Sequence, residues 1–298
     1  MSSTFSAAAR REVRRLPLSP SHIYLAKKGG PSTRMKRNVY VTTLFCIGIV
    51  SLISGCQSAP ATALPPSVEL KTGEKTTVLS TRSGVTEAVI YNVVNGAPAS
   101  VILLVGGNGV LSQTRGNFLL RVRNDFIRQG LSVAVPNVPS DHNYGLDLGF
   151  RASAEYAQDL AAVIDFLQNA SPGPVWLVGT SNGTVSATNA AARLGPSRVA
   201  GLVLTSTVWA NGNFSGLARI AVPTLVVHNR DDGCSASPYS GVSHGMALLA
   251  KAPAKELVSV QGGQSVGDPC GAQSPHGYLG IENQVVPPII QWIKAHTS

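Results

Sequence analysis

One serine in this chain has flanking residues that suggest covalent chemistry. Ser181 lies at the centre of Gly179-Thr180-Ser181-Asn182-Gly183, after the apolar run 175–179 and before a stretch rich in small residues, 183–194. This arrangement predicts a tight turn from a strand into a helix, which would expose the hydroxyl at the carboxyl edge of a sheet. The competing interpretation is an ordinary glycine-rich turn in which Ser181 caps the helix.

A serine hydroxyl is a weak nucleophile at neutral pH, so it needs a general base that is oriented by a carboxylate. Between Asp165 and Asp231 the chain has no acidic residue. Asp231 and Asp232 directly follow the apolar run 223–228, and either could supply the carboxylate.

Three histidines follow this acidic pair: His244, His276 and His296. His276 lies in a Pro/Gly loop between the last predicted strand and the last predicted helix. We interpret the other two as surface residues, since one is near a helix start and one is near the chain end. His228, which precedes the pair, is predicted to be structural. His276 is therefore the candidate base, and an exposed loop histidine is the alternative.

Short apolar segments alternate with helical ones along the body of the chain. The predicted strands are 76–79, 87–94, 100–105, 132–136, 175–179, 199–205, 223–228 and 256–260, and the predicted helices are 117–129, 151–169, 183–194, 241–250 and 284–296. Continuous aliphatic runs are typical of strands buried on both faces of a parallel sheet. The first two strands have no helix between them, which predicts an antiparallel hairpin at the sheet edge.

Over about residues 75–298 these features together resemble the α/β-hydrolases, and among them the small esterase-like and dienelactone-hydrolase-like members. The resemblance implies an α/β fold with a mostly parallel, doubly wound sheet of about eight strands and helices on both faces. Because the connector 206–222 is only about 17 residues long, no large lid is expected. Residues 75–298 are thus predicted to be one catalytic domain.

The resemblance also assigns roles to residues. The segment from His228 to Asp232, with Pro238 beyond it, is similar to the family's His-Gly-x-x-Asp pattern, which favours Asp232 over Asp231 as the acid. The family places its base where His276 lies. Its oxyanion hole would be formed by the backbone N–H groups of Asn182 and, in the loop after the third strand, Asn108.

These roles imply acyl transfer from a small-molecule ester, thioester or amide to water, through an acyl-enzyme, with no metal and no organic cofactor. Two alternatives stay open. The first is an acyltransferase on the same fold. The second is a non-catalytic envelope lipoprotein that binds a ligand or partner on a hydrolase-like fold. The sequence does not predict an oligomeric state.

The net charge of +9 comes almost entirely from the N-terminus. Residues 1–37 hold nine Lys and Arg against one acid, which leaves 15 basic and 14 acidic residues in the remainder. A near-neutral body without a basic stripe argues against nucleic acid as a partner.

An apolar segment, 38–55, follows Lys36 and Arg37 and ends in Ile53-Ser54-Gly55-Cys56. This pattern resembles a bacterial lipobox and implies lipidation of Cys56, with export to the cell envelope and anchoring at a membrane surface. We expect 1–34 to be a spurious or disordered extension ahead of a start at Met35. By the same reasoning, 35–55 is a signal segment and 56–74 a tether. An uncleaved membrane anchor and a signal without lipidation are the alternatives.

Four cysteines are present; Cys46 lies in the apolar part of the signal segment, and Cys56 is the lipobox cysteine that directly follows it. Cys234 and Cys270 remain as an even pair in an exported protein, which predicts a disulfide, with two buried thiols as the alternative. This bond would tie the candidate acid loop to the candidate base loop. The spacing of Cys and His predicts no structural zinc site.

Overall fold

The computed structural model describes residues 68–297, apart from Arg115 and Ala210. Its strands are β1 (Lys75–Arg82), β2 (Val85–Asn92), β3 (Ser100–Leu104), β4 (Ser132–Pro139), β5 (Val175–Thr180), β6 (Gly201–Thr205), β7 (Thr224–Asn229) and β8 (Lys255–Val260). They form one sheet in the order β1-β2-β4-β3-β5-β6-β7-β8. β2 is antiparallel to both of its neighbours, and all other neighbouring strands are parallel. The predicted mostly parallel sheet and its edge hairpin are confirmed.

Seven α-helices are described: α1 (Phe118–Arg128), α2 (Leu148–Arg151), α3 (Ala154–Ala170), α4 (Gly183–Leu194), α5 (Asn211–Leu217), α6 (Val242–Leu248) and α7 (Glu282–Ala295). The prediction of one helix over 151–169 is wrong at its start, because Arg151 ends the separate short helix α2. Ser153 then caps α3 by accepting a hydrogen bond from the N–H of Tyr156 at 3.0 Å. A capping serine of this kind begins a new helix.

Apolar side chains fill both faces of the sheet, as the aliphatic runs predict. Val101 and Leu103 of β3 belong to the cluster that α1 and α7 cover. Ile102 and Leu104 belong to the cluster that α3 and α4 cover. Consecutive strand residues point to opposite faces, so a strand covered on both faces must be apolar at every position.

The connection from β6 to β7 carries only the seven-residue helix α5. No large insertion is present at this connection, as the short connector 206–222 predicts. The candidate residues Ser181 and Asp232 follow β5 and β7 at the carboxyl edge of this sheet.

Residues 1–67 lie outside the described part of the chain, and so do the predictions of an extension, a signal segment, lipidation at Cys56 and most of the tether. Residues 68–74, which the composition assigned to the tether, contact the body. Val68 packs against the apolar cluster below α1, and Glu74 forms an ion pair of 2.6 Å with buried Arg123. Within residues 68–297, no helix combines the length and the apolar character needed to cross a bilayer.

Candidate active site

Ser181 occupies a strained turn between β5 and α4. Its φ is +52°, in the left-handed region that residues with side chains rarely adopt. Both flanking glycines are required by space. A Cβ at Gly179 would lie 2.6 Å from the carbonyl oxygen of Gly183, and one at Gly183 would overlap the carbonyl of Leu104. The close approach of α4 to β3 therefore holds the serine in this conformation.

Of the two acidic residues after β7, Asp232 is the one that meets His276. Its buried carboxylate lies 2.9 Å (Oδ2) and 3.2 Å (Oδ1) from Nδ1 of His276. Oδ1 also accepts a hydrogen bond of 2.9 Å from the N–H of Cys234. Asp231 is exposed and accepts a hydrogen bond of 2.9 Å from the N–H of Gly262. The two neighbours thus point to different places, and the carboxylate favoured by the family pattern contacts the histidine.

His276 lies in a 3₁₀ turn, Pro275–Gly277, and its side chain is buried. The carboxylate of Asp232 beside Nδ1 assigns the ring proton to that nitrogen and leaves Nε2 as an acceptor. Among the described residues, Nε2 has no hydrogen-bond partner. The imidazole is therefore oriented by its acid while its other nitrogen is available for a proton.

Tyr278 holds the loop of His276 against the sheet. The residue has a left-handed backbone, with φ of +56°, and its side chain is fully buried. Its hydroxyl donates to the carbonyl of Val227 and accepts from the N–H of Ser206, both at 2.8 Å. Ser206 in turn donates its hydroxyl to the carbonyl of His276 at 2.6 Å. Burial raises the pKa of Tyr278, so the phenol remains protonated and can donate.

Ser181 and His276 line the same cavity, whose volume is about 220 Å³. Gly107, Asn117 and Cys270 contribute to its wall. The hydroxyl of Ser181 is not in hydrogen-bond contact with Nε2 of His276 in this structure. A larger groove of about 1020 Å³ between α1 and α7 is lined by none of the candidate residues. We place the candidate site in the smaller cavity because it contains the reactive groups.

The glycine-rich loop after β3 lies directly beside Ser181. A Cβ at Gly106 would come within 2.8 Å of the serine Cβ. The side-chain amide of Asn182 donates to the carbonyl of Gly107 at 3.0 Å, so the loop is tied to the turn. Asn108 organises the loop itself, since its amide donates to Gln113 at 2.6 Å. Gly107, and not Asn108, contributes to the cavity wall.

Two buried side chains behind Asp232 complete the network. The hydroxyl of Ser237 lies 3.0 Å from Oδ2 of Asp232 and 2.9 Å from Nδ1 of His276. His228, buried at the end of β7, lies with Nε2 2.8 Å from the carbonyl of Ser237. Burial lowers the pKa of His228, so its neutral form donates this hydrogen bond. Ser237 was not predicted, because a serine five residues after an acid has no distinguishing pattern.

The predicted disulfide between Cys234 and Cys270 is present. The backbone N–H of Cys234 donates a hydrogen bond to the carboxylate of Asp232, and Cys270 belongs to the cavity wall. The bond therefore joins the loop of Asp232 covalently to the wall that faces Ser181.

Comparison with solved structures identifies the architecture. A serine hydrolase without a lid from Xanthomonas campestris has a TM-score of 0.57 at 17% identity and covers 76% of this chain and 96% of its own. A cold-adapted esterase from an Arctic intertidal metagenomic library has a TM-score of 0.56 at 16% identity, covering 77% of this chain and 97% of its own. A serine hydrolase homologue from Coxiella burnetii also has a TM-score of 0.56 at 16% identity, and it covers 75% of this chain and 99% of its own.

No protein-family model matches the sequence, and no curated protein matches it at a significant level. The likeness to solved structures is therefore one of fold. Together with the strand order and the short connection from β6 to β7, it shows that this chain has the α/β-hydrolase fold without a large lid.

Proposed function

We propose that this protein is a serine hydrolase that cleaves carboxylic esters, with Ser181 as nucleophile, His276 as general base and Asp232 as the orienting acid. One observation carries the proposal. A buried carboxylate holds Nδ1 of His276 at 2.9 Å, and the ring lines the same cavity as a serine in a strained turn. A nucleophile, a histidine and a carboxylate that converge on one cavity are typical of catalytic sites.

The protonation states define the reaction path. With its Nδ1–H donated in a hydrogen bond to Asp232, His276 accepts the hydroxyl proton of Ser181 at Nε2 while Oγ bonds to the substrate carbonyl carbon. The imidazolium then returns the proton to the leaving alcohol, and a water repeats the sequence to release the acid. Contacts between nucleophile and base are commonly long in the free enzyme and shorten when substrate binds.

The tetrahedral intermediate carries a negative charge on the former carbonyl oxygen, which needs hydrogen-bond donors. The N–H of Asn182 is one proposed donor. The second comes from the glycine loop, where the family position favours Asn108 and the cavity wall favours Gly107. Gly107 and Asn108 are the two central residues of a turn that is closed by the hydrogen bond from the N–H of Gly109 to the carbonyl of Gly106, at 3.2 Å.

An ester substrate with a short acyl chain fits the site best. The solved structures that share this fold include esterases, which supports ester cleavage over amide cleavage. A cavity of about 220 Å³ accommodates an acetyl or butyryl group more readily than a long chain. We expect p-nitrophenyl acetate and butyrate to be hydrolysed faster than the octanoate ester.

The decisive experiment is labelling by a fluorophosphonate, followed by peptide mass analysis. We expect the label on Ser181, its loss in Ser181→Ala, and its retention in Ser235→Ala, which changes an exposed serine of the acid loop. Folded protein that is neither labelled nor active on the esters would support the non-catalytic alternative. Transfer of the acyl group to added alcohols or sugars in preference to water would support an acyltransferase.

We also propose that Cys56 is lipidated and that the enzyme acts in the bacterial cell envelope, anchored at a membrane surface. The lipobox-like residues 53–56 support this, and so does the Cys234–Cys270 disulfide, since disulfides persist in oxidising compartments. Incorporation of a labelled fatty acid, lost in Cys56→Ser, tests the proposal. Recovery of unlabelled protein in the soluble fraction would contradict it.

A further inference from the structure

Arg151, the last residue of α2, is a buried cation beside the glycine loop. It is 1% exposed. Its Nη1 donates to the hydroxyl of Ser186 at 2.8 Å, and its Nη2 donates to the carbonyl of Gly107 at 3.2 Å. Nε has no hydrogen-bond partner among the described residues. The side chain therefore reaches from its helix to the loop that lines the cavity of Ser181.

No carboxylate among the described residues forms an ion pair with Arg151. Arg123, which is also buried, differs from Arg151 in this respect because it forms an ion pair with Glu74 at 2.6 Å. Burial lowers the pKa of Arg151, yet a guanidinium keeps its charge in proteins. An unpaired buried charge is costly for folding, so its retention calls for a function.

The positive charge acts on one particular peptide group. The carbonyl of Gly107 accepts hydrogen bonds from both Arg151 and the side-chain amide of Asn182. In a trans peptide the next N–H, that of Asn108, points opposite to this carbonyl. Two donors on the carbonyl therefore fix the direction of that N–H and polarise it. A Cβ at Gly109 would lie 3.0 Å from Nη2, so the loop packs directly on the guanidinium.

We propose that Arg151 is a positioning residue that holds the Gly107–Asn108 peptide in place and puts an uncompensated positive charge behind the oxyanion site. Negative charge that forms on the substrate oxygen is stabilised by this field, whereas the neutral ester is not. The inference rests on the proposed hydrolase function, because it needs an oxyanion to form at Ser181.

The test compares Arg151→Met, which removes the charge, with Arg151→Lys, which keeps it. Arg123→Lys is the matched control, since it alters a buried arginine away from the cavity. Each variant is assayed with p-nitrophenyl acetate and with trifluoromethyl ethyl ketone. Oγ of Ser181 adds to this ketone, the proton moves to Nε2 of His276, and the ketone oxygen becomes an oxyanion.

We expect kcat/KM per folded protein to fall about 100-fold in Arg151→Met and about tenfold or less in Arg151→Lys. Affinity for the ketone should fall in proportion across the variants, and Arg123→Lys should stay within about twofold of wild type in both measurements. This proportionality is the readout that a merely structural role would not produce.

Wild-type kcat/KM and ketone affinity in folded Arg151→Met would overturn the inference and leave the hydrolase function intact. A loss of kcat/KM without a matching loss of ketone affinity would overturn it equally. If Arg151→Met does not fold, the same proportionality is applied to Arg151→Lys alone. A folded wild-type protein that neither hydrolyses the ester nor takes a fluorophosphonate would overturn the proposed function, and this inference with it.

Discussion

The hydroxyl of Ser237 lies 3.0 Å from Oδ2 of Asp232 and donates its proton to that oxygen. The carboxylate thereby accepts hydrogen bonds from Ser237, from the N–H of Cys234 and from His276, all in a buried environment. Three donors hold the carboxylate in one orientation. The acid of this site is therefore fixed by its own loop, independently of substrate.

Ser237→Ala should lower kcat/KM for p-nitrophenyl acetate about tenfold, because a hydrogen bond to a charged group contributes roughly 1.5 kcal/mol or more. The exposed Ser235 provides the control, and Ser235→Ala should be unchanged. Equal activity of the two folded variants would show that the acid needs no support from this hydroxyl.

Asp232→Asn should reduce kcat/KM by about a thousandfold or more, since an amide can hold the wrong imidazole tautomer. Asp231→Asn, at the exposed neighbour, should stay within about threefold of wild type because the carboxylate of Asp231 accepts hydrogen bonds from Gln261 and Gly262, in the loop after β8, and does not contact His276. Measurement of both rates with active-site titration decides between the two acids. A larger loss at Asp231 would reverse the assignment.

Removing the Cys234–Cys270 bond should lower both stability and rate. The bond spans 36 positions of sequence, for which the chain-entropy estimate is about 4 kcal/mol of unfolding free energy. Denaturant unfolding of the Cys234→Ala, Cys270→Ala double variant measures the first effect, and kcat/KM measures the second. Dithiothreitol should lower the unfolding free energy and kcat/KM of the wild type in the same way, and it should change neither quantity in the double variant. Full activity after reduction would argue that the bond does not position Asp232.

Glu87 makes the unfolding free energy of the protein depend on pH. It is fully buried, neither side-chain oxygen has a hydrogen-bond partner within the part of the chain that the structure describes, and Asp159 is a neighbouring carboxylate. Burial first and then the charge of Asp159 raise its pKa well above the usual value of 4.5, while Arg82 partly opposes this. The folded state therefore holds a proton that the unfolded state releases once the pH exceeds about 4.5. The unfolding free energy should consequently fall as the pH rises.

Glu87→Gln removes this titration. Between about pH 5 and about pH 8, wild type should lose up to ~1.4 kcal/mol per pH unit relative to the variant. Denaturant unfolding across this range provides the measurement, and Glu256→Gln, at an exposed position, should follow wild type. Parallel curves for Glu87→Gln and wild type would contradict the raised pKa.

The sequence predicts the sheet well because burial on both faces leaves an unambiguous aliphatic signal. The inner strands β2 to β7 follow from this signal, whereas the edge strands β1 and β8 are partly exposed and show it only weakly. The helix α2 escapes prediction because four residues are too few for a helical period to show, and α5 escapes it because its sequence, NGNFSGL, is rich in glycine and polar residues. Their existence depends on tertiary contacts, such as that of Arg151 with the glycine loop.

The candidate site is predicted only as far as chemistry restricts the choice. Few acids and histidines follow Ser181, so the search narrows to Asp232 and His276, which the structure brings into contact. Ser237 and Tyr278 act through hydrogen bonds between loops that are distant in sequence. Hydroxyl residues have no characteristic spacing for such contacts, so only the folded chain reveals them.

The disulfide also determines what a protease could do to this molecule. The segment between the bonded cysteines contains β8 and an exposed stretch around Val266, whose side chain is 57% exposed. A single backbone cut there falls inside the ring that Cys234 and Cys270 close. The fragment with Asp232 and the fragment with His276 would stay covalently joined, so a nicked molecule migrates as one species until it is reduced.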